Sequence, residues 1–239
     1  MSQDLQKFPS TPHVAWLSST PARSDKVLSP AEAERFLSRP ITVEEKVDGA
    51  NIGISLDDGG NLRVQNRGGY LETGAHPQFQ PLWPWLAERR EALAEALGGG
   101  LILFGEWCFA VHSVEYDALP DWFLAFDVYE SAAGRFWSSD RRDAWCGDLG
   151  LVSVPRLARG CFTLQQLRGL LGASRLGARE IEGIYLRRET DGWLEERAKL
   201  VRPQFVQAIG EHWSAGIFRK NHLDSRTTKT AGTTARRAS

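Results

Sequence analysis

The chain has 239 residues, 42% of them hydrophobic and 25% charged, which is enough to bury the core of one large domain or two small ones. The formal net charge of −1 argues against a protein wrapped by nucleic acid, although it allows a local basic groove. The three cysteines, Cys108, Cys146 and Cys161, fit neither a disulfide framework nor a zinc site. No apolar run reaches the ~20 residues of a membrane span, and the polar N-terminus has no signal-peptide core. We therefore predict a cytoplasmic protein with reduced thiols and no membrane contact.

The first 28 residues contain three prolines and are predicted to lie irregularly over the domain surface. Ser29 and Glu32 form a capping box with Pro30 at the first helical position, so a short helix begins here, and Pro40 ends it.

A strand is predicted from Ile41 to Val47, where alternation places Lys46 and Asp48 on one face. Gly49 removes a Cβ just beyond them, which lets a ligand come close to the lysine. This arrangement would expose a lysine nucleophile. The alternative is a strand lysine paired with Glu44 or Asp48 on a solvated face.

Further strands are predicted at Asn51–Leu56 and Leu62–Asn66, completing an antiparallel meander with the strand of Lys46. The third strand and the turn after it have a basic face that includes Arg67. A single helix is predicted over residues 78–97, with Gly98 as its stop.

Leu101–Trp107 is predicted as a buried strand in which Glu106 interrupts an apolar run. A buried carboxylate is costly unless it is paired or bonded to hydroxyl groups. Cys108 and His112 are too few ligands for a metal site, so we expect them to pack in the core. The next strand, Trp122–Tyr129, carries Phe126.

The C-terminal part is predicted to contain two structural helices, at residues 138–150 and after Thr163, followed by a hairpin. The hairpin strands are Ile181–Arg188, opened by Glu182, and Trp193–Val201, in which Arg197 and Lys199 share one face. A helix is predicted from Pro203 to about Trp213, and residues 224–239 are predicted to be a disordered basic tail.

The segment Lys46-Val47-Asp48-Gly49, with Asn51 two residues beyond the glycine, resembles the nucleotidyl-acceptor motif of the covalent nucleotidyltransferase superfamily of polynucleotide ligases and mRNA-capping enzymes. Further residues match the motifs of that superfamily in order, between about residues 41 and 202. They are Arg67, Glu106, Phe126, Glu182 and Lys199. Arg197 departs from the pattern because the family has lysine there, and arginine keeps the charge but changes the hydrogen-bond geometry.

The resemblance implies an α+β fold, a nucleotidyltransferase (ATP-grasp-like ligase) domain of antiparallel β-sheets with flanking helices, spanning residues 1–223. It also implies an ATP-dependent RNA ligase in which the neutral amine of Lys46 attacks the α-phosphate of ATP. Arg197, Lys199 and a bound Mg²⁺ or Mn²⁺ would disfavour the ammonium form of this lysine.

The resemblance assigns roles to the other motif residues as well. Glu106 would accept from the ribose, Phe126 would stack on the purine, and Asp48 and Glu182 would hold the metal or its water. Arg67 and Lys199 are the further catalytic candidates. The full set predicted to bind the nucleotide is Glu44, Glu45, Asn51, Arg67, Glu106, Phe126, Glu182, Arg197 and Lys199.

The RNA ligase prediction leaves two alternatives open. One is a nucleotide or RNA-end binding module of the same fold without turnover, and the other is a DNA ligase-like nucleotidyltransferase. The residues after Lys199 are too few for the C-terminal OB-fold barrel of DNA ligases and capping enzymes, and those before Lys46 too few for a nicotinamide-recognising domain. These lengths favour an RNA ligase. We also expect a monomer whose partners are ATP and RNA ends.

Overall fold

The computed structural model describes residues 5–19, 27–208 and 218–225. The predictions for the helix beyond Ala208 and for the tail from residue 226 onward lie outside these residues. Within them, no helix is both long and apolar enough to cross a membrane.

The described chain contains short helices and ten strands. The helices are α1 (Pro30–Leu37), α2 (Leu82–Glu88), α3 (Arg90–Ala96), α4 (Ser139–Asp148), α5 (Leu164–Gly169) and α6 (Pro203–Ala208), with a 3-10 turn at Pro77–Phe79. The strands are β1 (Ile41–Lys46), β2 (Ala50–Leu56), β3 (Leu62–Gln65), β4 (Leu101–Trp107), β5 (Phe123–Glu130), β6 (Arg135–Phe136), β7 (Val152–Ser153), β8 (Arg156–Gly160), β9 (Gly183–Thr190) and β10 (Trp193–Val201).

The strands form two sheets, which we call the lysine sheet and the glutamate sheet. The lysine sheet has the order β10-β9-β1-β8, and all its pairings are antiparallel. The glutamate sheet has the order β3-β2-β4-β5-β6, with β7 added in parallel to β5. Helices pack beside both sheets, so the predicted α+β class with antiparallel sheets is confirmed.

The predicted meander is wrong at its first connection, because β1 belongs to the lysine sheet and β2 to the glutamate sheet. The chain crosses between the sheets at Val47–Gly49. A Cβ on Gly49 would lie 2.8 Å from the carbonyl oxygen of Trp107, so the backbone passes where a side chain would clash. Lys46 is therefore the last residue of its strand before the crossing.

The two faces of β1 have different environments. Ile41 and Val43 are buried in a hydrophobic cluster with Phe36 of α1 and Leu167 of α5. On the opposite face, Glu44 and Lys46 form ion pairs with residues of other elements. The apolar face thus anchors the strand, and the polar face supplies charged groups to the space between the sheets.

The helix predicted over residues 78–97 is interrupted. The 3-10 turn, α2 and α3 follow one another, and Arg89 breaks the helical backbone with φ −112° and ψ 6°. Its guanidinium lies 4.4 Å from the Trp85 ring and 3.3 Å from the Asp121 carboxylate. The apolar face was nevertheless predicted correctly, since Leu86 and Leu93 are buried.

Candidate active site

A cavity of about 230 Å³ contains most of the predicted site residues. Eight of the eleven line it: Glu44, Glu45, Lys46, Asn51, Arg67, Glu106, Phe126 and Lys199. These residues come from both sheets and are spread over more than 150 positions of the sequence. The structure therefore brings the predicted nucleophile together with Glu106, Phe126 and Lys199.

Lys46 points into this cavity with its amine held by an ion pair. Its Nζ donates a hydrogen bond of 2.6 Å to Oε2 of Glu182, and its side chain is 28% exposed. Lys46 lies opposite Gly183 in the β1–β9 register, which brings Glu182 beside it. The alternative of a lysine paired with Glu44 or Asp48 on a solvated face is wrong.

The protein's own groups keep Lys46 protonated. Burial acts to lower the pKa of the amine, but the carboxylates of Glu182, Glu106 and Asp48 together outweigh it and raise that pKa above its ordinary value. Arg197 and Lys199 therefore do not keep this amine neutral in the protein alone, and the predicted contribution of a bound divalent metal stays a prediction. The charges nearest the nitrogen are negative, and a neutral amine requires an added positive charge.

Glu106 faces the cavity from β4, where it pairs in register with Asn51 of β2. Its Oε2 is buried and has no hydrogen-bond partner among the described residues. Burial is the main cause that raises the pKa of this carboxyl to about 8, against the opposing charge of Lys46. An orphaned buried oxygen fits a group that hydrogen-bonds to a ligand hydroxyl.

The raised pKa of Glu106 predicts how stability depends on pH. The folded state favours the protonated form of Glu106, because the pKa of this carboxyl is higher in the fold than its ordinary value of 4.5. Its contribution to the free energy of unfolding is therefore complete below about pH 4.5. This contribution is lost as the pH rises to about 8. Relative to Glu106→Gln, the free energy of unfolding of the wild type should fall by about 1 to 3 kcal/mol between pH 5 and pH 8. Urea unfolding at several pH values measures this difference. Glu91→Gln, on the exposed side of α3, is the control and should follow the wild-type profile; parallel profiles for Glu106→Gln and wild type would contradict the assignment.

Asp48 and Glu182, the predicted metal ligands, both lie near Lys46 but do not line the cavity. Oδ2 of Asp48 accepts hydrogen bonds from the backbone N–H groups of Ser113 (2.5 Å) and Val114 (2.9 Å). One oxygen of Asp48 thus anchors the loop after β4, a role that the sequence did not indicate.

The carboxylates near Lys46 fit a hard divalent cation. In the described part of the chain, no group of three or more His, Cys, Asp and Glu side chains is placed to hold a metal ion by itself. Mg²⁺ is usually bound by one or two carboxylates, with water and substrate phosphates completing its shell. Asp48 and Glu182 match that donor set.

Arg197 lies beside the cavity rather than in it. Its guanidinium is 4.1 Å from the Phe136 ring and 5.0 Å from the Phe8 ring, and its NH1 is 3.4 Å from Asp127 Oδ2. Lys199, two residues further along β10, does line the cavity. Arg197 therefore supports the Phe8 and Phe136 rings beside the cavity, and its nucleotide contact stays a prediction.

Sequence reasoning missed a cluster of charges buried next to the cavity, which we call the buried ion cluster. Arg142 of α4 pairs with Glu44 at 2.6 Å, and Arg187 of β9 pairs with Asp127 at 2.7 Å, all four side chains being fully buried. Arg142 and Arg187 both donate to the backbone carbonyl of Phe126, at 2.6 and 3.1 Å. The only sign of this cluster in the sequence was the presence of charged residues within apolar strands. The pairs themselves could not be predicted, because the partners are distant in sequence. The members are Glu44, Asp127, Arg142, Arg187 and Glu189.

Glu45, the other predicted acidic contact, mainly holds a loop in place. Its carboxylate accepts hydrogen bonds from Ser174 Oγ (2.5 Å) and the Arg175 backbone N–H (3.0 Å). Burial raises the pKa of this carboxyl, against those two hydrogen bonds. Glu44 and Glu45 therefore line the cavity, but their carboxylates bind Arg142 and the loop of Ser174, respectively.

The N-terminal segment is a further site element that was not among the predicted site residues. It was predicted to lie over the surface, yet residues 7–11 line the cavity together with Tyr185. Thr11 Oγ1 lies 3.5 Å from the hydroxyl of Tyr185, and His13 is buried against β10. The segment has no regular alternation of apolar and polar residues, so its position in the cavity could not be predicted from the local sequence.

Comparison with known proteins identifies the family. The model of the RNA ligase family matches residues 39–201, well over half of the chain. The chain belongs to the RNA ligase family. A comparison with curated proteins found no match.

Solved structures that resemble this chain include RNA ligase structures from Naegleria gruberi. An RNA ligase with a lysine-to-alanine substitution, with ATP and Mn, is 19% identical with a TM-score of 0.59, covering 73% of this chain and 53% of that one. An arginine-to-alanine mutant with ATP and Mn is 18% identical with a TM-score of 0.61, covering 85% and 57%. The same ligase with PPi is 20% identical with a TM-score of 0.56, covering 73% and 52%. This chain thus spans a little over half the length of these ligases and shares their fold.

Proposed function

We propose that this protein is an ATP-dependent RNA ligase that joins 5′-phosphate and 3′-hydroxyl ends through a covalent lysyl-AMP and an adenylylated 5′ end. The observation that carries the proposal is the Lys46 amine in a cavity shared with Glu106, Phe126 and Lys199. The match to the RNA ligase family supports it. A role in RNA repair, a monomeric state and a cytoplasmic location stay predictions.

In the first step Nζ of Lys46 attacks the α-phosphorus of ATP. A nitrogen–phosphorus bond forms, the bond from that phosphorus to the bridging oxygen breaks, and pyrophosphate leaves. The ammonium must lose a proton before it attacks, since Glu182, Glu106 and Asp48 raise its pKa. A divalent cation held by Asp48 and Glu182 would supply the positive charge that favours the neutral amine and stabilises charge on the phosphates.

The remaining cavity residues would position the nucleotide. Phe126 offers its ring to the purine, and Glu106 offers its unpartnered Oε2 to a ribose hydroxyl. Lys199 and Arg67 supply positive charge for the phosphates. Fixed groups of this kind lower the barrier because they need no reorganisation during the reaction.

Two further transfers would complete ligation. An oxygen of the RNA 5′-phosphate attacks the phosphorus of lysyl-AMP, the nitrogen–phosphorus bond breaks, and the product is a 5′-adenylylated end with Lys46 released. The 3′-hydroxyl of the second strand then attacks the RNA 5′-phosphorus and loses its proton to solvent, the phosphorus–oxygen bond to AMP breaks, and AMP departs. Arg67 is exposed at the edge of the cavity, which suits contact with the incoming 5′-phosphate.

Label transfer tests the proposal. With Mg²⁺ or Mn²⁺, α-labelled ATP should label the protein and α-labelled GTP should not, and the label should move to a 5′-phosphorylated RNA. ATP binding without a covalent adduct would instead indicate a binding module without turnover. Transfer to 5′-phosphorylated DNA in preference to RNA would indicate a DNA ligase-like enzyme.

A further inference from the structure

The N-terminal strap, residues 5–13, connects the two sheets at the cavity. Gln65 of β3 donates from its side chain to the carbonyl of Gln6 at 2.7 Å. At the other end, the N–H of Lys199 in β10 donates to the carbonyl of Pro12 at 2.9 Å. The strap is thus fixed to the glutamate sheet and to the lysine sheet, and its residues 7–11 line the cavity between these attachments. It lies outside residues 39–201, which carry the family match.

The side chain of Phe8 in the strap is held by aromatic contacts. Its ring centroid lies 5.1 Å from that of Phe104, 5.1 Å from that of Phe126 and 5.6 Å from that of Phe136. The guanidinium of Arg197 lies 5.0 Å from the same ring. Three rings and one cation therefore hold Phe8 in place, and it lines the cavity.

Phe8 and Phe126 form an apolar corner of the cavity. Their ring planes meet at 80°, so a flat heterocycle stacked on one ring would meet the other ring at its edge. Val47 and Val154 line the same cavity and add apolar surface. None of these four side chains offers a hydrogen bond to a base.

An apolar corner of this kind discriminates between purines by their edges. Adenine carries a C–H at position 2, whereas guanine carries an amino group there. An amino group moved from water to an apolar surface loses hydrogen bonds that nothing replaces. The apolar corner therefore favours adenine over guanine.

We propose that Phe8 is a specificity-determining residue of the nucleotide site, which closes the base pocket with Phe126 and disfavours purines with a polar group at position 2. This inference rests on the proposed use of ATP. It assigns part of the base pocket to a segment outside the family match.

Adduct formation with paired nucleotides tests the role of Phe8. The probes are ATP and 2-amino-adenosine triphosphate, which differ only in the group at position 2. In the wild type, kcat/KM for adduct formation should favour ATP by about tenfold or more. In Phe8→Ala this preference should fall to about twofold, and KM for ATP should rise about tenfold with the saturating rate changed less than about twofold, as for a lost binding contact. Phe8→Leu keeps apolar surface but loses the flat ring, so its preference and KM should fall between those of the wild type and Phe8→Ala.

Phe162→Leu is the matched control. Phe162 is a partly buried aromatic residue that packs against the hydrophobic cluster of Ile41 and Leu167 and does not line the cavity, so this variant should keep the wild-type KM and nucleotide preference. Equal changes in Phe8→Leu and Phe162→Leu, or a normal adduct with unchanged preference in the Phe8 variants, would overturn the inference alone. No adduct in the wild type with either nucleotide would overturn the proposed function and this inference with it. If Phe8→Ala does not fold, Phe8→Leu carries the test because it keeps an apolar side chain.

Discussion

Lys46→Ala should reduce the covalent nucleotide adduct by at least about a thousandfold, the scale of loss seen when a nucleophile is removed. The reaction needs an amine at the position of Nζ, which the ion pair with Glu182 fixes within the cavity. The measurement is the amount of labelled protein after incubation with α-labelled ATP and a divalent cation. An equal amount of adduct in Lys46→Ala and wild type would end this mechanism.

Two variants separate the chemistry of Lys46 from its structural role. Lys46→Arg keeps a positive charge beside Glu182 but cannot supply a neutral amine near neutral pH, so it should fold like the wild type and form no adduct. Lys220→Ala removes a lysine that lies 5.6 Å from the Phe109 ring and does not line the cavity. That variant should form the wild-type amount of adduct.

Arg187→Met should lower the free energy of unfolding by about 3 to 5 kcal/mol, the usual cost of removing one partner of a buried ion pair. Arg187 is fully buried and contacts Asp127, Glu44 and Glu189 of the buried ion cluster, so its loss leaves carboxylates without their cation. Urea unfolding and the melting temperature measure the loss.

The control for Arg187→Met is a surface pair of the same chemistry. Arg135 and Glu195 lie 2.6 Å apart with side chains 43% and 40% exposed, so Arg135→Met should cost at most about 1 kcal/mol. If Arg187→Met proved no less stable than Arg135→Met, the ion pairs of the buried ion cluster would not stabilise the fold.

Local pattern was sufficient for features that depend on neighbouring residues. Alternation and turn residues predicted the β9–β10 hairpin, where Asp191 and Gly192 adopt the positive φ values, 52° and 81°, of a tight turn. The capping box at Ser29 is also confirmed, since both of its hydrogen bonds are present. It could be predicted because these bonds join residues only three positions apart. The resemblance to the family gave the order of the motif residues, and the cavity brings most of them together.

Features that depend on distant partners could not be predicted. Alternation shows that β1 is a strand but not which sheet it joins, so the meander was wrong at Gly49. The ion pair of Glu44 with Arg142 spans 98 positions, and nothing local in α4 indicates it. The pKa of Lys46 in the protein alone depends on distances to three carboxylates, which local pattern does not give, so its raised direction could not be predicted.

The crossing of the chain at Gly49 has a mechanical consequence. Lys46 is carried by one layer of the molecule, whereas Glu106 and Phe126 are carried by the other. The attacking nitrogen and the residues that orient the nucleotide therefore belong to different sheets. A small change in the distance between the sheets would change the distance from nitrogen to phosphorus, and reaction requires these two atoms to be about 3 to 3.5 Å apart.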